Sequence, residues 1–185
     1  GFKQYSEFIK NKFGIKHFLV WHTMQGYWFG ISHLFGKYRK KFQLIKNLPK
    51  YGPSNTQKGW MPIHLFFFTK LLKMFRIFRW PFGVISPKEM NKFWNDYHGW
   101  LADQGIDAVK VDNQSGQQLH CYNLGNQASI MKLYHDTLER SVEMHFSESN
   151  MINCMSQNSD VYYQINKSSI TRNSQDYYPG KEIEQ

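Results

Sequence analysis

Along this chain, apolar residues spaced three and four apart repeatedly give way to a glycine, then to a short β-branched or apolar run that ends in polar residues. That alternation of helix and strand predicts an α/β domain with a parallel sheet. The first unit places Tyr5, Phe8 and Ile9 at helical spacing, Gly14 as a left-handed helix stop, and a strand over residues 15–20, with Trp21 and His22 following at its end. The second opens at Ser86-Pro87-Lys88-Glu89, where serine can cap, proline suits the first helical position and Glu89 can complete a capping box. Its apolar stripe (Met90, Phe93, Trp94, Tyr97, Leu101) leads to Gly105 and a strand over 106–112 that ends on a carboxylate.

A third helix is predicted over 128–146, with Ile130, Tyr134, Leu138, Val142 and Phe146 on one side, feeding a strand over 151–155. A last strand falls at 169–172, and the short interval before it holds one small helix near 160–165. Four strands joined by helices predict functional groups at the strand C-terminal ends. Residues 47–83 break the pattern. A Pro/Gly/Asn/Lys-rich loop over 47–59 precedes an aromatic run and then Lys70, Lys73, Arg76 and Arg79, the spacing of a basic amphipathic helix. Such a helix suits a membrane surface or a calmodulin-type partner. An inserted helix packed on the domain by its aromatics, or an aberrant insertion from a retained non-coding segment or a frameshift, explains the same residues.

Composition narrows the class. A chain of 185 residues with 41% hydrophobic and 17% aromatic content has enough apolar matter for one domain with a core, which argues against disorder. The net charge of +9 is uneven: residues 1–80 hold fifteen Lys/Arg against Glu7 alone, whereas residues 81–185 hold eight against thirteen acids. A solvated basic face is the expected reading, with no nucleic-acid partner; membrane contact through 60–80 is the competing one. Cys121 and Cys154 lie outside any C-x-x-C or Cys/His cluster, so reduced thiols and no metal site are expected. No glycine-rich nucleotide loop is read, and no cofactor is expected. Without a basic-then-apolar leader or an apolar stretch near twenty residues, no transmembrane helix is expected. The compartment is left open, with the cytoplasm favoured.

The chemistry concentrates in two short motifs: Lys110-Val111-Asp112 and Arg172-Asn173-Ser174-Gln175-Asp176 each set a carboxylate near a cation where a strand should end. A retaining glycosidase needs two carboxyl groups roughly 5 Å apart, one attacking the anomeric carbon and one lending and reclaiming a proton. Asp112 and Asp176 are the candidate pair. On its residues alone each acid also reads as a turn or capping group. Trp21 and His22 read equally as core residues or as sugar contacts, and Trp28 reads as packing. Cys154 reads as pocket-lining or as a buried small thiol.

Three blocks in this order resemble the catalytic barrel of the raffinose synthase and alkaline α-galactosidase group, glycoside hydrolase family 36. They are Val20-Trp21-His22-Thr23-Met24-Gln25-Gly26-Tyr27-Trp28, the nucleophile-like block from Gly105 through Asp112 to Gln114, and the strand ends around Ile152–Ser156 and Thr171–Pro179. The resemblance implies a partial (β/α)8 barrel of about four parallel strands, the third to sixth, acting as a retaining glycosidase or transglycosidase on α-galactosides of the raffinose series. It makes Asp112 the nucleophile and Asp176 the acid/base, with Lys110 and Arg172 supporting the sugar or a carboxylate, and Trp21, His22 and Cys154 lining the site. Four strands of an eight-stranded barrel cannot close, so residues 1–185 read as a fragment of a longer catalytic domain with an atypical insertion at about 47–83. The alternative is a catalytically inactive remnant whose basic segment binds a membrane or polyanion. Gln175 stands where many members of the group carry a second acid.

Overall fold

The computed structural model describes residues 1–28, 30–31, 37–47, 82–121 and 124–174. Four parallel strands form the central sheet in the order β1 (Leu19–Thr23), β4 (Ala108–Asp112), β5 (Met151–Cys154), β6 (Ile170–Arg172). Helices α1 (Phe2–Phe13), α3 (Met90–Asp103), α5 (Gln127–His145) and the one-turn α6 (Ser159–Tyr162) precede these strands in turn. Helix, strand and glycine therefore recur as the pattern predicts, and the sheet is that of a partial (β/α) barrel. Among the described residues no helix is long and apolar enough to cross a membrane.

The register fixes which side chains share a face. Trp21 pairs with Lys110, Lys110 with Ile152, and Ile152 with Ile170; Thr23 pairs with Asp112, and Cys154 with Arg172. Paired residues project to the same side, and the side alternates along each strand. One face thus carries Trp21, Lys110, Asp112, Cys154 and Arg172. The other carries His22, Val109, Val111, Met151 and Asn153, and packs on the helices. Phe93, Trp94 and Leu101 of α3 and Tyr134, Leu138 and Val142 of α5 complete the core there. Each such side chain, fully withdrawn from water, contributes about 2 kcal/mol.

Several expectations are corrected. The first strand starts at Leu19, not residue 15, and Trp21 and His22 lie within it. After the left-handed Gly14 cap, the connecting residues are held by Asp107, whose carboxylate accepts from Phe18 N–H and Lys10 Nζ, both at 2.7 Å. Helix α1 does not bury its aromatic stripe: Tyr5 and Phe8 are 55% and 52% exposed, and the buried residue is Ser6, bonded to the Gln104 carbonyl. Ser86 makes no side-chain cap, because a 3-10 turn over Pro87–Glu89 precedes α3 and its Glu89 N–H bonds the Ser86 carbonyl instead.

Two strands escaped the sequence reading. β2 (Leu44–Asn47), which follows the short helix α2 (Tyr38–Lys41), pairs antiparallel with β3 (Phe82–Ile85), so Asn47 and Phe82 stand opposite each other. Four-residue strands are too short to show an alternation. The excursion between them begins and ends at one place on the domain, and the basic segment at 60–80 lies outside the described residues.

Candidate active site

Asp112 ends β4, an inner strand flanked by β1 and β5. Its side chain is 8% exposed and is met by donors from two directions. Trp21 Nε1–H donates to Oδ2 at 3.0 Å and the Asn113 N–H donates to Oδ1 at 2.6 Å. The second contact needs the backbone to turn sharply after the strand, and Asn113 does so in the left-handed region at φ 55°, where asparagine is tolerated best among non-glycine residues. Gly116 leaves room for the Asn113 side chain, which a Cβ at 116 would overlap.

Cys154 and Arg172 stand side by side on β5 and β6, on the Asp112 face. Burial and then the hydrogen-bonded, negatively charged Asp112 push the Cys154 thiol up, while the Arg172 and Lys110 cations pull it back. Asp112, Arg172 and Lys110 therefore each sit within electrostatic reach of the Cys154 thiol. Fixed donors on both oxygens hold this carboxylate in one orientation, with two cations projecting from the same face.

Behind this face runs a buried polar network. Gln114 Nε2 donates to the Val111 carbonyl at 3.0 Å and to Asn153 Oδ1 at 2.9 Å, and His135 Nε2 donates to Gln114 Oε1 at 3.1 Å. Asn153 Nδ2 donates to Ser168 Oγ at 2.8 Å and to the Ile170 carbonyl at 3.2 Å. The Glu139 carboxylate accepts the backbone N–H groups of Asn166, Lys167 and Ser168 and the Ser168 hydroxyl. The network ties the ends of β4, β5 and β6 to α5. It fixes the spacing of the residues that project from those strands on the opposite side.

Across 1–184 the chain matches the family model described as raffinose synthase or seed imbibition protein Sip1. The chain belongs to this family. Among curated members of the raffinose synthase family it is 31% identical over 181 residues to the probable galactinol-sucrose galactosyltransferase 6 of Arabidopsis thaliana, covering 97% of this chain and 22% of that protein. It is 28% identical over 173 residues to the probable galactinol-sucrose galactosyltransferase 1 of the same plant, covering 92% and 21%. It is 25% identical over 164 residues to the stachyose synthase of Pisum sativum, covering 88% and 18%. The chain thus spans about a fifth of the length of these relatives. These relatives are named for enzymes that act on carbohydrates, and the family is one of sugar-transferring enzymes.

Of the residues singled out from sequence, the fold brings Trp21, Lys110, Asp112, Cys154 and Arg172 to one face. His22 is not among them. Its ring is buried on the helix side among Trp94, Tyr97 and His98, and burial lowers its pKa to about 4. One-residue alternation along β1 is the reason: adjacent Trp21 and His22 must face opposite ways. Asp176 lies outside the described residues. Asn113, Gln114 and Glu139 were missed; the tripeptide Asp112-Asn113-Gln114 offered a turn signal for the first two, whereas nothing in a helical glutamate marks it as a loop anchor.

Proposed function

We propose that residues 1–185 form one section of a longer retaining (β/α)8 active site that acts on α-galactosides of the raffinose series, with Asp112 as its nucleophile. The observation that carries this reading is the placement of Asp112 at the end of an inner strand, with Trp21 and Asn113 donating to its two oxygens and Lys110 and Arg172 on its face. An Asp112 oxygen attacks the anomeric carbon as the bond to the leaving sugar breaks, and the Asp176 proton goes to the departing oxygen. An acceptor hydroxyl then loses its proton to Asp176 and attacks the same carbon, and the bond to Asp112 breaks. Water as acceptor gives hydrolysis. A sugar hydroxyl gives transfer, which the names of the similar proteins favour.

Lys110 and Arg172 bind sugar hydroxyls beside Asp112, and the buried Cys154 backs the pocket between them. Among the described residues β1 and β6 have no strand beyond them, which supports the reading of one section of a barrel, with the segment at about 47–83 as an excursion from it. The test is covalent trapping. An activated, fluorinated α-galactoside whose glycosyl-enzyme turns over slowly should label Asp112, as read by peptide mass spectrometry on this chain and on any longer chain containing it. Labelling that persists in Asp112→Asn, or that lands on another residue, removes the assignment.

A further inference from the structure

The rim beside Asp112 carries an aromatic surface whose ring faces the chemistry above does not use. After β1 the chain makes a tight turn: the Gly26 N–H donates to the Thr23 carbonyl and the Gly30 N–H to the Tyr27 carbonyl, both at 2.9 Å. Gly26 and Gly30 adopt φ values of 86° and 75°, which side-chain-bearing residues rarely do. The far end is pinned by the Ile31 N–H, which donates to the Gly83 carbonyl at 3.0 Å. A turn fastened at both ends holds its side chains in place, and among the described residues these include Tyr27 and Trp28, 60% and 38% exposed.

Both pack on Trp21, itself 37% exposed. The Trp21 and Trp28 ring centroids are 5.6 Å apart with planes tilted by 47°, and Tyr27 meets Trp21 edge-on at 6.0 Å. Three large rings left partly in water and locked by their backbone mark a ligand-facing surface rather than core. Their chemistry selects the ligand. A pyranose ring has an apolar face of slightly positive C–H groups, which the negative face of an aromatic ring attracts, while its hydroxyls project sideways to polar partners.

Those partners are adjacent, because the Trp21 indole edge is bonded to Asp112 on the face that also holds Lys110 and Arg172.

We propose that Trp21, Tyr27 and Trp28 form a stacking subsite for a second pyranose ring, next to the sugar that Asp112 attacks. This deepens the proposed function and rests on it only for the word "second"; stacking itself is measured without turnover. The experiment is a titration of this chain with raffinose and with sucrose, following the indole N–H signals by NMR. Mannitol, an open-chain polyol without a ring face, serves as control.

Both sugars are expected to shift the Trp21 and Trp28 signals saturably, and mannitol is not. Tyr27→Ala and Trp28→Ala should each weaken binding by about fivefold. Trp28→Phe should retain most of it. Trp100→Ala should change nothing, since that exposed ring stacks on Phe2 in α1. No saturable shift with either sugar, an equal response to mannitol, or undiminished binding in both alanine variants overturns the subsite. The titration of the unmodified chain decides the matter even if a variant fails to fold. Asp112 labelling without sugar-induced shifts overturns the subsite alone, and shifts without labelling overturn the nucleophile alone.

Discussion

The indole N–H of Trp21 donates to Oδ2 of Asp112 across the β1–β4 pair at 3.0 Å. It joins an exposed aromatic rim to a nearly buried carboxylate, so one side chain serves both as donor and as part of a stacking surface. Trp21→Phe separates the two roles, because it keeps a ring and removes the donor. A hydrogen bond to a charged group contributes about 1.5 kcal/mol or more, so trapping on Asp112 should slow roughly tenfold while sugar binding survives. Equal trapping rates in both proteins would show that the bond does not orient the attack.

Glu139 should be a stability determinant out of proportion to its being one helical acid. Its carboxylate satisfies three backbone N–H groups and a hydroxyl ahead of β6, and Glu139→Ala leaves the buried N–H and hydroxyl of Ser168 without their acceptor and frees the N–H groups of Asn166 and Lys167. A loss of about 3 kcal/mol is expected, read as a lower urea midpoint. Amide exchange at Asn166, Lys167 and Ser168 should quicken more than at β1. Uniform acceleration over all strands would refute a local anchoring role.

Stability should depend on pH through the buried His22–His98 pair. The Thr23 carbonyl accepts from His22 Nδ1–H at 3.0 Å, His98 Nε2–H donates to His22 Nε2 at 3.2 Å, and the Ser141 hydroxyl donates to His98 Nδ1 at 3.0 Å. This chain of bonds needs both rings neutral. Burial lowers His22 to about 4; burial, followed by the neighbouring His22 and His145, lowers His98 well below its ordinary value. The unfolded chain takes up these protons near pH 6.5, whereas the folded chain takes up that of His22 only near 4 and that of His98 only well below its ordinary value, so stability is complete above about 6.5 and falls as pH drops. The slope should be about 1.4 kcal/mol per pH unit for each histidine. Urea titrations at pH 7, 6 and 5 test it; a slope in His22→Gln as steep as in the parent would exclude His22 as a source.

Gly83 should resist any side chain. A Cβ there would overlap the Ile31 carbonyl, and one at Gly30 would lie 2.5 Å from the Gly83 oxygen. Gly83→Ala should therefore loosen the contact between β3 and the Tyr27–Trp28 turn, costing a few kcal/mol in stability and weakening sugar binding with it. Unaltered stability would show that the two backbones have room to separate.

Much of this molecule was legible without coordinates, and the reasons are local. Periodicity marked α3 and α5, glycines marked the helix stops, and β-branched runs marked β4 and β5, because backbone sterics and solvent exclusion act over a few residues. The ordered strand-end motifs sufficed to identify the family, which the match across 1–184 bears out. Sequence could not assign sides. Trp21 and His22 are neighbours in the chain, yet register and alternation send one to the carboxylate and the other into a histidine pair. Nor could it foresee that α1 would leave Tyr5 and Phe8 in water, that β2 and β3 would close a stem, or that Glu139 would anchor the loop before β6. Those outcomes depend on contacts between residues tens of positions apart, and only the packed chain decides which of them form.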